Sequence, residues 1–117
     1  PVLMAEHAYS DVVREAQEIV ELALKGMLRH VAVEPPKWHD VGQFLEEHRK
    51  RFSPAVAEQI PRLAEASRWL RKEREFSFYG DVDFIPTDQY KERDTQRAMD
   101  DAQFVVGVAR SVIAPGS

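Results

Sequence analysis

AEHAYSDVVREAQEIVELALKGML, residues 5–28, is the stretch that decides the fold. Ala5, Ala8, Tyr9, Val12, Val13, Ala16, Ile19, Val20, Ala23, Leu24, Met27 and Leu28 recur at alternating three- and four-residue steps. That spacing lays one apolar stripe along a helix. The other face carries Arg14, Glu15, Glu18, Glu21, Lys25 and Arg29. Glu21 and Lys25 stand four residues apart in the favourable order, a pair worth about 0.3 kcal/mol. A long helix over about residues 3–32 follows, stopped by Pro35 and Pro36, since proline has no amide proton and drives the residue before it out of the helical region.

The pattern repeats downstream. Asp40 is placed to cap a shorter helix over about 41–51, with Val41, Phe44 and Leu45 on its apolar side. Ser53 and Pro54 open a third helix, a capping hydroxyl followed by a residue whose fixed φ suits the first helical position. Val56, Ala57, Ile60, Leu63, Ala64 and Leu70 carry it to about residue 77, with Pro61 predicting a kink or two helices joined end to end. Gly80 ends it, and Asp81 to Tyr90, containing Pro86, reads as a loop. The last helix runs over about 92–113 on Ala98, Met99, Ala102, Val105, Val106, Ala109, Val112 and Ile113, closed by Pro115 and Gly116. Gly107 inside it costs about 1 kcal/mol relative to alanine and predicts a close helix contact. The expected fold is an all-α, antiparallel up-and-down bundle of four to five helices forming one domain over residues 1–117.

Composition agrees with a single globular unit. A chain of 117 residues buries roughly two-thirds of its unfolded surface. Apolar residues make up 44% and charged ones 31%, which is neither disordered nor fibrous in character. No apolar run approaches the length of a bilayer span, and the first residues lack the pattern of a secretory leader, so no membrane association and a cytoplasmic address are expected. The lack of cysteine removes disulfides and thiolate metal sites. The chain opens at Pro1 with the helical pattern already running, from which sequence upstream is expected.

Three segments resemble one known family. Arg14-Glu15-Ala16-Gln17-Glu18-Ile19-Val20-Glu21-Leu22-Ala23-Leu24-Lys25-Gly26-Met27-Leu28 is similar to a helix of the HEPN family, the helical domains named for nucleotide binding in higher eukaryotes and prokaryotes. Pro36-Lys37-Trp38-His39-Asp40-Val41 resembles its stretch leading through His-Asp into a short helix. Ser67-Arg68 with Arg74-Glu75 and Phe78-Tyr79-Gly80-Asp81 resembles a variant with an arginine-glutamate pair before a Tyr-Gly-Asp turn. The resemblance spans about residues 8–113. It implies a helical bundle, a homodimer with a cleft near Arg68, Arg74 and Tyr79, and a companion protein such as a small nucleotidyltransferase in a two-component system of toxin-antitoxin type.

Ribonucleases of this family place a histidine after an arginine with about four to six residues between them. The imidazole can exchange protons near neutral pH while the guanidinium holds a phosphate. None of His7, His30, His39 or His48 has an arginine at that distance upstream, and beyond Arg74 stand Tyr79, Gly80 and Asp81. Catalysis of that kind is therefore not expected, a tyrosine titrating near 10 being a poor base at neutral pH.

Between residues 49 and 74 eight cations face three carboxylates, whereas the whole chain is net −4. Within that window Arg68, Arg71 and Arg74, joined by Tyr79 and Asp81, are the candidate nucleotide- or RNA-phosphate site, with Lys37 and His39 as further candidates. Guanidinium groups would grip phosphate and the phenol ring would stack a base. The plainer account is a solvated run paired with Glu65, Glu73 and Glu75, and an acidic domain lacks the field of a general nucleic-acid binder. His39 and Asp40 read as a loop residue and a cap, Trp38 and Trp69 as core or interface anchors, and no metal or cofactor is expected. Two other functions stand beside phosphate binding: a metal-independent ribonuclease with a degenerate site, and a ligand-free dimerisation or scaffold module.

Overall fold

A computed structural model describes residues 2–37, 40–79 and 88–114, with side chains over 9–37, 40–75 and 92–114. Trp38, His39, Gly80, Asp81, Pro86, Pro115 and Gly116 lie outside the described residues, and the side chain of Tyr79 lies outside the described side chains. The described residues form helices α1 (Val2–His30), α2 (Val41–Glu47), α3 (Pro54–Tyr79) and α4 (Asp88–Ile113), with a single 3₁₀ turn at Arg49–Arg51 between α2 and α3. No strand occurs among them, as the periodicity requires.

The capping signals act as read. The Asp40 side chain accepts the Gly42 amide at 2.9 Å to start α2, and the Ser53 hydroxyl accepts the Val56 amide at 3.3 Å to start α3. The end of α1 differs from expectation. It stops at His30, before the prolines, because Val33 donates to the Leu28 carbonyl at 2.9 Å and Ala32 to that of Arg29 at 3.0 Å. This 6→1 and 5→2 pair is a Schellman closure. Ala32 takes the left-handed position, φ 64°, that glycine usually fills.

Other boundaries also depart from the sequence reading. Pro61 lies inside α3, which continues through it as one helix and not as two. Its ring faces solvent, so the Ala57 carbonyl that has lost its donor lies on the outer side, where water can satisfy it. Helix α4 begins at Asp88, so the last residues of the expected loop are helical.

Pairs along the seams give the directions. Arg74 meets Gln17 and Glu18, and Arg71, three residues earlier, meets Glu21, three to four residues later, so α1 and α3 run antiparallel. Arg97 lies on Trp69 and Arg62 on Phe104, so α3 and α4 do too. Helices α1 and α4 therefore point the same way, with Ile113 beside Gly26, and α1 packs most extensively against α4. Val13, Val20, Leu24, Met27 and Leu28 of α1, Val41 and Leu45 of α2, Ile60, Leu63 and Leu70 of α3, and Ala98 and Val105 of α4 form the core. The alanines of α4 keep its axis close to α1.

Close helix contact occurs at a different glycine from the one expected. A Cβ on Gly107 would meet nothing within 4 Å, whereas one on Gly42 would lie 2.8 Å from the Ala64 Cα and 3.0 Å from its Cβ. Gly42 lets α2 sit against the backbone of α3. Gly42→Ala is expected to lower stability by about 1–3 kcal/mol, the usual cost of overpacking. Ala32→Gly should raise it by about 1 kcal/mol by relieving the left-handed strain. Urea denaturation of both variants, followed by circular dichroism, checks the opposite signs.

Candidate functional site

The second half of α3 presents Arg68, Arg71 and Arg74 at three-residue steps. Arg68 is exposed; Arg71 and Arg74 are half-buried where α3 packs on α1. Arg71 stands between two carboxylates, its Nε 4.0 Å from Glu21 and its Nη1 3.7 Å from Asp40. Arg74 donates to the Gln17 side-chain oxygen and lies 3.6 Å from Glu18. Beside them the Tyr9 hydroxyl donates to Glu73 at 2.8 Å. Glu21 also holds Lys25 at 3.6 Å, the four-residue pair expected from the sequence.

Periodicity alone could not supply these partners. The counter-charges of Arg71 and Arg74 come from α1 and from the cap of α2, and Glu65 and Glu73 are engaged elsewhere, by Arg97 and Tyr9. The only available signal was that Gln17, Glu18 and Glu21 flank the apolar stripe of α1, the edge along which a neighbouring helix must run. Lys37 is exposed. His39 and Asp81 fall outside the described residues and Tyr79 outside the described side chains, so Arg68, Arg71 and Arg74 are what the fold brings into one row.

No described histidine stands in that row. The His48 ring packs on Phe44, centroids 4.3 Å apart, with Nδ1 2.9 Å from the Phe44 carbonyl, and His30 ends α1. Neither contacts the row: His30 stands nine residues along α1 from Glu21, about 13 Å at the helical rise, and His48 closes α2 at the end opposite Asp40. Among the described residues no group of three or more histidines and carboxylates could hold a metal, and no helix is long and apolar enough to cross a membrane.

The chain matches the HEPN domain over residues 2–112, nearly its full length. It belongs to the HEPN family. Neither the curated proteins nor the solved structures contain a match to it. As a HEPN domain it lacks the arginine-to-histidine spacing of the family's ribonucleases, and the described histidines supply no spatial substitute beside the arginine row.

A second polar cluster lies between α3 and α4. The Arg97 guanidinium sits 4.2 Å above the Trp69 ring and pairs with Glu65 at 3.7 Å and Asp101 at 3.5 Å; Arg62 lies 3.9 Å above Phe104. Trp69 is thus partly buried against the core with a cation as its cover. Burial pushes the Asp101 carboxyl above its ordinary 3.8, outweighing the opposing pull of Arg97 and Arg62, and Glu65 adds to the rise. A raised carboxyl pKa means that the folded chain takes up a proton before the unfolded chain does. The contribution of Asp101 to stability is therefore largest below the unfolded value and is lost as pH climbs through the raised one. Between about pH 7 and about pH 4.5 the wild type should gain stability relative to Asp101→Asn, as read by urea midpoints at the two pH values.

Proposed function

We propose that the protein is a non-catalytic HEPN domain of the cytoplasm that binds the phosphate of a nucleotide or RNA along Arg68, Arg71 and Arg74. It acts with a second protein such as a small nucleotidyltransferase, in a two-component, toxin-antitoxin-like system. The observation that carries this reading is how the arginines are held. Their pairs with Glu18, Glu21 and Asp40 measure 3.6–4.0 Å, and the partners are themselves partly open to water. Such exposed pairs contribute about 0–1 kcal/mol each, enough to orient a guanidinium and little enough to be exchanged. A phosphate offers more charge and two oxygens to a planar fork, and forms the stronger contact. The exposed Arg68 extends the row without a carboxylate among the described residues. Family membership supports the ligand class, and the lack of the arginine-to-histidine spacing of the family's ribonucleases supports binding over cleavage.

The test is calorimetric titration of the whole chain with ATP, GTP and a short single-stranded RNA. Saturable binding to one of them is expected, weakened at least tenfold, about 1.4 kcal/mol, by Arg68→Ala or Arg71→Ala. Because the ion pairs are weak, Arg71→Ala should shift unfolding by less than about 1 kcal/mol, so lost binding would not mean lost fold. Silence with all three ligands, or affinities that ignore both substitutions, would sink the site.

One observation favours a second reading, that of a ligand-free dimerisation or scaffold module. Glu18, Glu21 and Asp40 already balance Arg71, Arg74 and Lys25, so the row carries little excess charge. A degenerate ribonuclease has less behind it. RNA cleavage abolished by Arg74→Ala would restore that account.

A further inference from the structure

Arg71 shares one of its two counter-ions with a second cation. On the α1 side of the α1–α3 seam, Oε2 of Glu21 lies 3.6 Å from the Lys25 ammonium and Oε1 lies 4.0 Å from Nε of Arg71. A single carboxylate thus bridges cations from two helices. Both distances exceed that of a hydrogen bond, and among the described residues this carboxylate has no further hydrogen bond or ion pair. Asp40, the other carboxylate at Arg71, is held differently. Its Oδ1 accepts the Gly42 amide at 2.9 Å while lying 3.7 Å from the guanidinium. An incoming anion therefore displaces Glu21 and leaves Asp40 in place as the cap of α2.

The charges decide which anion can make that exchange. Lys25 and Arg71 are balanced by Glu21 and Asp40, so turning Glu21 aside leaves an excess of positive charge between the two helices. A phosphodiester of an RNA backbone carries a single negative charge on two free oxygens, as a carboxylate does, and gains little by replacing one. A terminal phosphate monoester has three free oxygens and about −1.5 to −2 charges at pH 7. It can accept the planar fork of Arg71 and the point charge of Lys25 on separate oxygens. Both cations can be reached from solvent, their side chains being 42% and 31% exposed.

We propose that Lys25 and Arg71 form a subsite for a terminal phosphate monoester, and that Glu21 is its built-in competitor. This rests on the reading of the arginine row as a phosphate site. It brings in a residue of α1 and narrows the ligand to a phosphorylated end, whether of a nucleotide or of a 5′-phosphorylated RNA. The small excess charge of the row then has a use. Carboxylates that balance the cations keep singly charged anions out and yield to a more highly charged one, which is selection by a repulsive element.

Calorimetric titration of the whole chain with ATP, and with one short single-stranded RNA bearing either a 5′-phosphate or a 5′-hydroxyl, tests the proposal. ATP or the phosphorylated RNA should bind at least tenfold more tightly than the hydroxyl form, and the tighter of the two identifies the carrier. For that ligand Glu21→Gln should tighten binding about fivefold, the factor for one unit charge removed at ion-pair distance in a high dielectric. Lys25→Gln should weaken it by a similar factor. Glu58→Gln removes an exposed carboxylate of α3 thirteen residues, about 20 Å, from Arg71, and should change affinity by less than about twofold. That control separates local competition from net charge, and circular dichroism should show the same helical content in every variant. Equal binding of the two RNA ends, a Glu21→Gln that fails to tighten, or a Lys25→Gln without effect would overturn the proposal. If Arg71→Ala still weakens binding in that case, the broader phosphate reading stands. Absence of binding to wild type and Glu21→Gln alike would overturn both.

Discussion

Val13, Val20, Leu24, Met27 and Leu28 are withdrawn from water together along one side of α1, and every other helix of the bundle contributes to covering them. A helix this long cannot bury its stripe against a single neighbour, so α4 covers one flank, α3 the other, and α2 closes the remaining gap. The small residues fall where this demands them. Alanines along α4 let its axis approach α1, and Gly42 lets α2 press on α3 at Ala64. Once the stripe is covered, the polar residues on its flanks have no freedom about what they face. Gln17, Glu18 and Glu21 meet Arg71 and Arg74 because the apolar packing puts them there.

Much of this was legible before any coordinates, and the limits have physical causes. The stripe, the caps at Asp40 and Ser53 and the Glu21–Lys25 pair are local, each readable within a few residues of chain. The end of α1 misled because prolines are conspicuous and a left-handed alanine is not. Ala32 stops the helix by its backbone, against its own preference. Glycine misled in a different way. Whether Gly107 or Gly42 marks a close approach depends on what lies opposite, which for Gly42 is Ala64, twenty-two residues away.

The candidate site divides along the same line. That α3 carries a row of arginines is a property of spacing, and the row exists as read. That two of them are already engaged by α1 and by the α2 cap is a property of packing, and it changes their meaning. The basic window between residues 49 and 74 stands out in the sequence because counter-charges distant in the chain are left out of the window. In the folded bundle the two are adjacent. The exposed apolar residues show the converse. Ile19, Met99 and Ile113 belong to their helical stripes by period, yet the stripes are wider than the arc the core can cover, and the surplus is left on the α1–α4 face.

Asp40 holds two of these relationships at one atom. Its Oδ1 accepts the amide that starts α2 and lies 3.7 Å from the Arg71 guanidinium. The first turn of a helix that wedges Gly42 against α3 and the orientation of an arginine in the candidate row thus share a single oxygen. Removing that carboxylate disturbs both, and a loss of binding after Asp40→Ala could not be assigned to either. Asparagine keeps a capping oxygen and gives up the charge, so Asp40→Asn separates the architectural duty of this residue from its electrostatic one.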